Sequence, residues 1–392
     1  MKIKQACVLV LMSVVILAVS QHAPLVFASK NSRASWTFMV YLDADNNLDE
    51  YGQINLEQMQ EGLAPNAAVN VIVLMDRLNL PAYVYEVTHE NIKTVQSLGE
   101  VDMGNQQTLT YFVTFAMKKY PVNYFFLDLW DHGGGYRGVC WDESSGNHLS
   151  PHDIEIAVAL AENQTKKFVH VIGFDACLMG MIEICYELKD VTNIVIGSEM
   201  LIPGLGWPYT QLMAYLSSNP QTDPPALSTY LVNEYIEYYP KYTVQMSAIN
   251  EEFIPEVTIS LNNFADALMT NISEYKGVVS GARSDAQQKF ILGTMGFYFY
   301  VDLYKFTMLV SERACDGKIA ELASNLMGKL DLVVFAEAHT AQIGNLDAKQ
   351  FGLTVNFPPN IQTYNSNYEK CVPCFVQETL WQSFLMSYYA AI

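Results

Sequence analysis

Two short segments of this chain bring together residue types that can make and break an acyl bond. Tyr124–Gly135 (YFFLDLWDHGGG) is an apolar run ending in His132 and three glycines. Val169–Gly180 (VHVIGFDACLMG) is a second apolar run, ending in Cys177. The thiolate is the attacking form of cysteine, and a free thiol is mostly protonated near neutrality, so a base is needed. His132 can take the proton and return it to a leaving amine. Gly133, Gly134 and Gly135 have no Cβ and let backbone approach a reacting carbonyl. Backbone N–H groups there and at Cys177 can form an oxyanion hole, often the largest electrostatic contribution to acyl transfer. Taken singly, each residue has a plainer reading. A histidine before glycines can simply close a strand, and a lone cysteine can be a small buried hydrophobe. Their pairing on consecutive strands is what favours chemistry.

The elements around them follow from periodicity. Four to eight apolar residues bounded by glycine read as a buried parallel strand. Trp36–Leu42, Val69–Asp76 and Asn193–Gly197 read the same way, and Tyr83–Thr88 alternates like a hairpin strand. Helical patterns fall between them at about 49–61, 107–119, 150–162 and 178–188. Such alternation predicts an α/β fold, a mostly parallel sheet with helices on both faces. Ligands of open α/β sheets bind beyond the carboxyl ends of the strands, where both His132 and Cys177 would stand. Cys177 would also precede a helix whose N-terminus favours the thiolate.

From about residue 224 helical periodicity dominates, over 225–239, 256–275, 318–329 and 378–389. Extended stretches intervene at 243–249, 331–336 and 352–357. The expected organisation is therefore a signal peptide at 1–28, an α/β catalytic domain at 29–223, and a mixed, largely helical region at 224–392 closing on it.

Strand alternation sorts the neighbours of the two reactive residues. Asp131 adjoins His132 and points to the other side, so it is a poor partner for the ring. Asp175 points to the same side as Cys177 and is expected to line the pocket. No third member of a triad follows from spacing. The run Asp43–Asp49 has carboxylates spaced as in a calcium loop, but Leu48 stands where that loop needs glycine and Ile54 where it needs a bidentate glutamate. It is read as a helix cap, and no metal ligand is assigned. Thiol–imidazole chemistry requires no cofactor. Calcium is the candidate ion, although no acidic loop carries a complete ligand set.

Composition bounds the partners. The 392 residues carry a net charge of −19, which argues against nucleic acid and anionic membrane surfaces. Lys2 and Lys4, the apolar stretch Ala6–Val19 and the small-x-small site Val26-Phe27-Ala28 form a secretory signal, with an uncleaved anchor as the alternative. No later segment reads as a membrane span, so the mature chain is expected to be secreted and soluble. Of seven cysteines, Cys7 lies in the signal; Cys371-Val-Pro-Cys374 could form a local disulfide. A thiol–disulfide protein built on that pair is one rival reading.

Several motifs together resemble the clostripain family of cysteine peptidases. They are WTFMVYLDADNNL (Trp36–Leu48), WDHGGG (Trp130–Gly135), DACLMG (Asp175–Gly180), SEMLIPGLGWPY (Ser198–Tyr209), GLTVNFP (Gly352–Pro358) and ETLWQSFL (Glu378–Leu385). The resemblance implies a caspase-like fold and a secreted endopeptidase acting on peptides through a covalent acyl-enzyme. It implies a dyad of Cys177 as nucleophile and His132 as base, with Gly133 and Cys177 backbone amides as the oxyanion hole. Many members of the family cleave after Lys or Arg, and some are cut internally or use calcium. Lys166-Lys167 is a candidate for such a cut. In one place the chain departs from the pattern. Relatives selecting basic residues tend to carry an acid in the turn where this chain has Leu205. Asp175 is kept and Asp45 is a candidate to compensate, so a relaxed Lys/Arg preference is expected. The second rival is a catalytically silent relative serving as a surface or binding module.

Overall fold

The run Trp36–Ala44 (β1) is buried throughout, and strand alternation sends Trp36, Phe38, Val40 and Leu42 to one face and Met39 and Tyr41 to the other. This is the behaviour of a central strand covered on both sides. The computed structural model describes residues 35–287, 299–340 and 351–392, all within one compact unit, Arg33–Ile392. The expected signal, 1–28, lies outside the described residues.

The further strands are β2 (Val69–Arg77), β3 (Leu80–Val87), β4 (Ile92–Gly99), β5 (Tyr124–Trp130), β6 (Val139–Asp142), β7 (Asn147–Leu149), β8 (Val171–Asp175) and β9 (Ile194–Gly197). Four more follow: β10 (Gln245–Asn250), β11 (Tyr300–Asp302), β12 (Val334–His339) and β13 (Thr354–Asn356). Nine of them form one sheet in the order β12-β10-β9-β8-β5-β1-β2-β3-β4. The five central strands β9, β8, β5, β1 and β2 are parallel, and both edges are antiparallel. From β1 the chain builds outward through β2, β3 and β4, then returns to place β5 on the other flank of β1. That reversal makes the carboxyl ends of β1 and β5 a topological switch point, where α/β sheets open a crevice.

Helices cover both faces. One face holds α1 (Asp49–Gly62) with the helices Tyr209–Ser218 and Pro224–Tyr238. The other holds α2 (Gln106–Lys119), α3 (Pro151–Thr165), α4 (Ile182–Leu188) and most of the helices beyond residue 254. Ser150 caps α3 in a reciprocal capping box with Asp153, and Pro151 occupies its first turn.

Several expectations need correction. The expected boundary near 224 does not separate one core from another, because β10 and β12 extend the same sheet. The pattern at 256–275 is a pair of helices, Ile254–Thr270 and Ile272–Ala286, interrupted at Asn271. The helix after Cys177 begins at Ile182 rather than 178, because Leu178 takes a left-handed conformation (φ 69°) inside a turn. No side chain caps α1; Asn46 Oδ1 instead accepts the Leu48 N–H.

Candidate active site

β5 ends at Trp130 and β8 at Asp175, which are paired in register, and Leu42 of β1 lies opposite Trp130. The loops that follow all three strands therefore open at one sheet edge, at the switch point. Together with the segment after β9 they enclose a cavity of about 230 Å³. His132, Cys177, Asp175, Asp131, Trp130 and Leu48 line it, and Leu201–Gly204 with Gly206 close it from the β9 side. Strand ends alone place the imidazole and the thiol at one edge, and here they share one cavity.

His132 is half-buried, and burial lowers its pKa while Glu143 pulls it partly back. The ring is therefore neutral near pH 7 and able to accept a proton. Its Nε2 lies 2.6 Å from Asn47 Oδ1. An amide oxygen can only accept, so Nε2 carries the hydrogen and Nδ1 keeps its lone pair. Asn47 is a partner that the sequence did not reveal, since its polar turn reads as a helix cap. Asp131 lies just beyond the end of β5, where strand alternation no longer applies, and it lines the same cavity as His132. It accepts from Asn46 Nδ2 at 2.7 Å and from the Trp141 N–H, tying together the loops after β1 and β5.

Cys177 Sγ accepts hydrogen bonds from the backbone N–H of Ile202, at 3.2 Å, and of Gly133. Burial pushes the thiol up to about 11, with the Ile202 N–H opposing and Asp175 and Asp131 adding to the rise. The expected help from a helix N-terminus is missing, because α4 starts five residues later. No hydrogen bond joins His132 to Cys177 among the described residues. The sulfur is thus a protonated thiol, not a standing thiolate. Gly133 is required by contact: a Cβ there would stand 2.1 Å from the Cys177 carbonyl oxygen.

Asp175 forms the cavity floor. Its Oδ2 accepts from the Trp207 N–H at 2.8 Å and the Tyr209 hydroxyl at 2.9 Å, while Oδ1 has no partner among the described residues. The same hydroxyl lies 2.6 Å from Asp128 Oδ2. A hydroxyl has one proton, and burial raises the pKa of both carboxyls. The two carboxyls therefore compete for that one proton, and burial disfavours charge on both. Gly206 lies against Asp175 with φ 63°, and a Cβ would meet Oδ2 at 2.3 Å.

The other two expected pocket residues do not line the cavity. Leu205 sits at the corner of a turn closed by Gly206 N–H to Pro203 carbonyl at 2.8 Å, and is 37% exposed. Asp45 is fully buried and accepts the Ser144 N–H at 3.0 Å. It faces Glu100 and Asp142, with one oxygen of each within 4.8 Å of the others. Asp43, Asp45 and Asp76 each keep one buried oxygen without a hydrogen-bond partner among the described residues. This acidic cluster draws on segments far apart in sequence, the ends of β1, β2 and β6 and the residues just after β1 and β4, so sequence spacing could not reveal it. Cys371 and Cys374 are both free thiols, without the local disulfide that their spacing could allow. Lys166 is exposed, but the Lys167 amine is bonded to the Met117 carbonyl over the Phe125 ring.

A thiol and an imidazole at the switch point of a mainly parallel, caspase-like sheet define a class of cysteine hydrolase. The family model described as Peptidase C11, clostripain family, matches residues 40–388. The chain belongs to the clostripain family and is a cysteine endopeptidase. Clostripain of Hathewaya histolytica is 22% identical over 433 residues, covering 91% of this chain and 81% of that protein. Two solved structures share the fold. An inactive zymogen C11 protease from Parabacteroides distasonis has a TM-score of 0.65 and 19% identity, covering 91% of this chain and 98% of its own. A secreted C11 cysteine protease from Bacteroides thetaiotaomicron, solved with an irreversible peptide inhibitor, has a TM-score of 0.62 and 19% identity, covering 91% and 99%.

Proposed function

We propose that this chain is a secreted endopeptidase in which Cys177 and His132 act as a dyad. His132 Nδ1 takes the thiol proton as sulfur attacks the substrate carbonyl. The developing oxyanion is met by the Gly133 and Cys177 backbone N–H groups. His132 then returns the proton to the leaving amine, giving a thioester that water, deprotonated by the same ring, hydrolyses. The observation that carries this reading is the shared cavity, with Gly133 packed against Cys177.

Asp175, with one unpartnered oxygen at the cavity floor, favours Lys or Arg before the cut. Asp175 is already engaged by Trp207 and Tyr209, and Asp131, the other carboxyl lining the cavity, by Asn46 and the Trp141 N–H, which makes the preference relaxed rather than strict. Secretion is supported by the basic and apolar N-terminal pattern and by the secreted relative. No helix among the described residues is long and apolar enough to cross a membrane. For calcium, the all-oxygen set Asp45, Glu100 and Asp142, beside the orphaned oxygens of Asp43 and Asp76, fits a hard cation. Such an ion would neutralise the loop that carries Asn47; the proton transfers above belong to Cys177 and His132 alone.

The test is a peptide-library digest of wild type against Cys177→Ala. Cleavage by wild type with enrichment of Lys and Arg before the cut, and none by the variant, is the expected result. Hydrolysis by Cys177→Ala at the wild-type rate would overturn the assignment.

A further inference from the structure

Away from the sheet edge, three metal-ligating side chains converge from segments far apart in sequence. His152 lies in the first turn of α3, Glu187 near the end of α4, and Cys374 in the helix Pro373–Glu378. One donor atom of each lies within 4.8 Å of the other two, and His152 Nδ1 is 3.4 Å from Glu187 Oε2. Tetrahedral coordination with bonds of about 2.0–2.3 Å sets ligand atoms roughly 3.3–3.6 Å apart. One edge of the triangle already has that length, and small side-chain shifts close the others.

The chemistry around the cluster also calls for a cation. Glu187 is 2% exposed, and its Oε1 accepts the Phe375 N–H at 2.9 Å. Its Oε2 has no hydrogen-bond partner among the described residues; its neighbour is the His152 ring. The Cys374 thiol and backbone N–H hydrogen-bond the same carboxyl, the Lys189 charge acts on the thiol without an ion pair to Glu187 among the described residues, and Glu155 Oε2 lies 3.7 Å from His152 Nδ1. A buried acid and a thiol set against an imidazole is an unfavourable group to enclose without compensating positive charge. The His152 ring is 33% exposed, while its Nδ1 is buried and faces Glu187 Oε2.

We propose that His152 Nδ1, Glu187 Oε2 and Cys374 Sγ bind a thiophilic divalent cation of the zinc class, with water as fourth ligand. Binding releases the Cys374 thiol proton to solvent, and thiolate and carboxylate then neutralise the dication. The sulfur and nitrogen donors disfavour calcium and magnesium, which take oxygen. Cys371 is outside the converging set, and its charged neighbours are Asp153, Arg137 and Lys370. The ion would staple the C-terminal segment onto α3 and α4, and α4 begins five residues after Cys177.

The test uses the full mature chain carrying Cys177→Ala, so that metal cannot occupy the catalytic thiol. After chelation and dialysis, zinc is titrated with metal analysis and thermal unfolding as readouts, and cobalt is titrated as the spectroscopic probe. The expected result is one zinc per chain at micromolar or tighter affinity, a rise in Tm, and a thiolate-to-cobalt charge-transfer band. Cys374→Ser should abolish the band, and both it and His152→Gln should weaken zinc by more than the roughly 10–100-fold that loss of an outer-shell partner costs. Cys371→Ser should keep both band and affinity. Absence of zinc binding at micromolar concentration, or a cobalt spectrum without the thiolate band, overturns the proposal before any ligand variant is made. Equal zinc affinity in folded Cys374→Ser overturns it as well.

Discussion

The chain holds two constellations of histidine, cysteine and carboxyl, and their surroundings differ. Around Cys177 the sulfur meets backbone N–H groups of Gly133 and Ile202, an open cavity, and a neutral imidazole. Around Cys374 the sulfur meets a buried carboxyl and an imidazole on the same side. Burial pushes both thiols up to about 11, so acidity alone does not tell them apart. What distinguishes them is what lies within reach. N–H donors and free space suit a developing oxyanion and a peptide; a converging oxygen and nitrogen suit a cation.

The two thiols should separate most sharply when His132, the proposed base, is removed. In metal-free enzyme, alkylation of Cys177 by iodoacetamide at pH 7.5 should fall on the order of 10²–10⁴-fold in His132→Ala. Labelling of Cys374, read by mass spectrometry on the same sample, should not change. A parallel fall at both thiols would mean that His132 supports the fold and not one sulfur.

A smaller effect concerns the cavity floor. Asp175→Asn should lower the ratio of kcat/KM for Arg against Leu before the cut by roughly tenfold to a hundredfold, the loss of one charge-assisted hydrogen bond of about 1.5–3 kcal/mol. Leu205→Asp should move the same ratio by no more than about fivefold, because an exposed charge is worth about 1 kcal/mol or less. A larger effect at 205 than at 175 would reverse the placement of the two residues.

The smallest expected change is at Asn47. Loss of its hydrogen bond to the His132 ring should cost about 1 kcal/mol, or roughly fivefold in kcat, with KM unchanged. In wild type the acid limb of kcat/KM should fall below the ordinary histidine value of about 6.5, because burial lowers the His132 pKa and only the neutral ring is a base. An acid limb above that value would mean that the Glu143 charge outweighs burial.

The parallel strands at the centre of the sheet and the shared edge of His132 and Cys177 were legible in the sequence. Both depend on local rules: an apolar run of strand length and the consistent edge at which parallel strands end. The family motifs extend that reading across the chain. What lay beyond it depends on segments distant in sequence. Asn47 reaches His132 because β1 and β5 are adjacent; Asp45 turns inward to Glu100 and Asp142; Leu205 turns outward at a tight corner. His152, Glu187 and Cys374 meet only because three helices pack over one face of the sheet. A strand announces itself through its own neighbours in sequence, whereas a side-chain cluster is set by packing between elements, which carries no period along the chain.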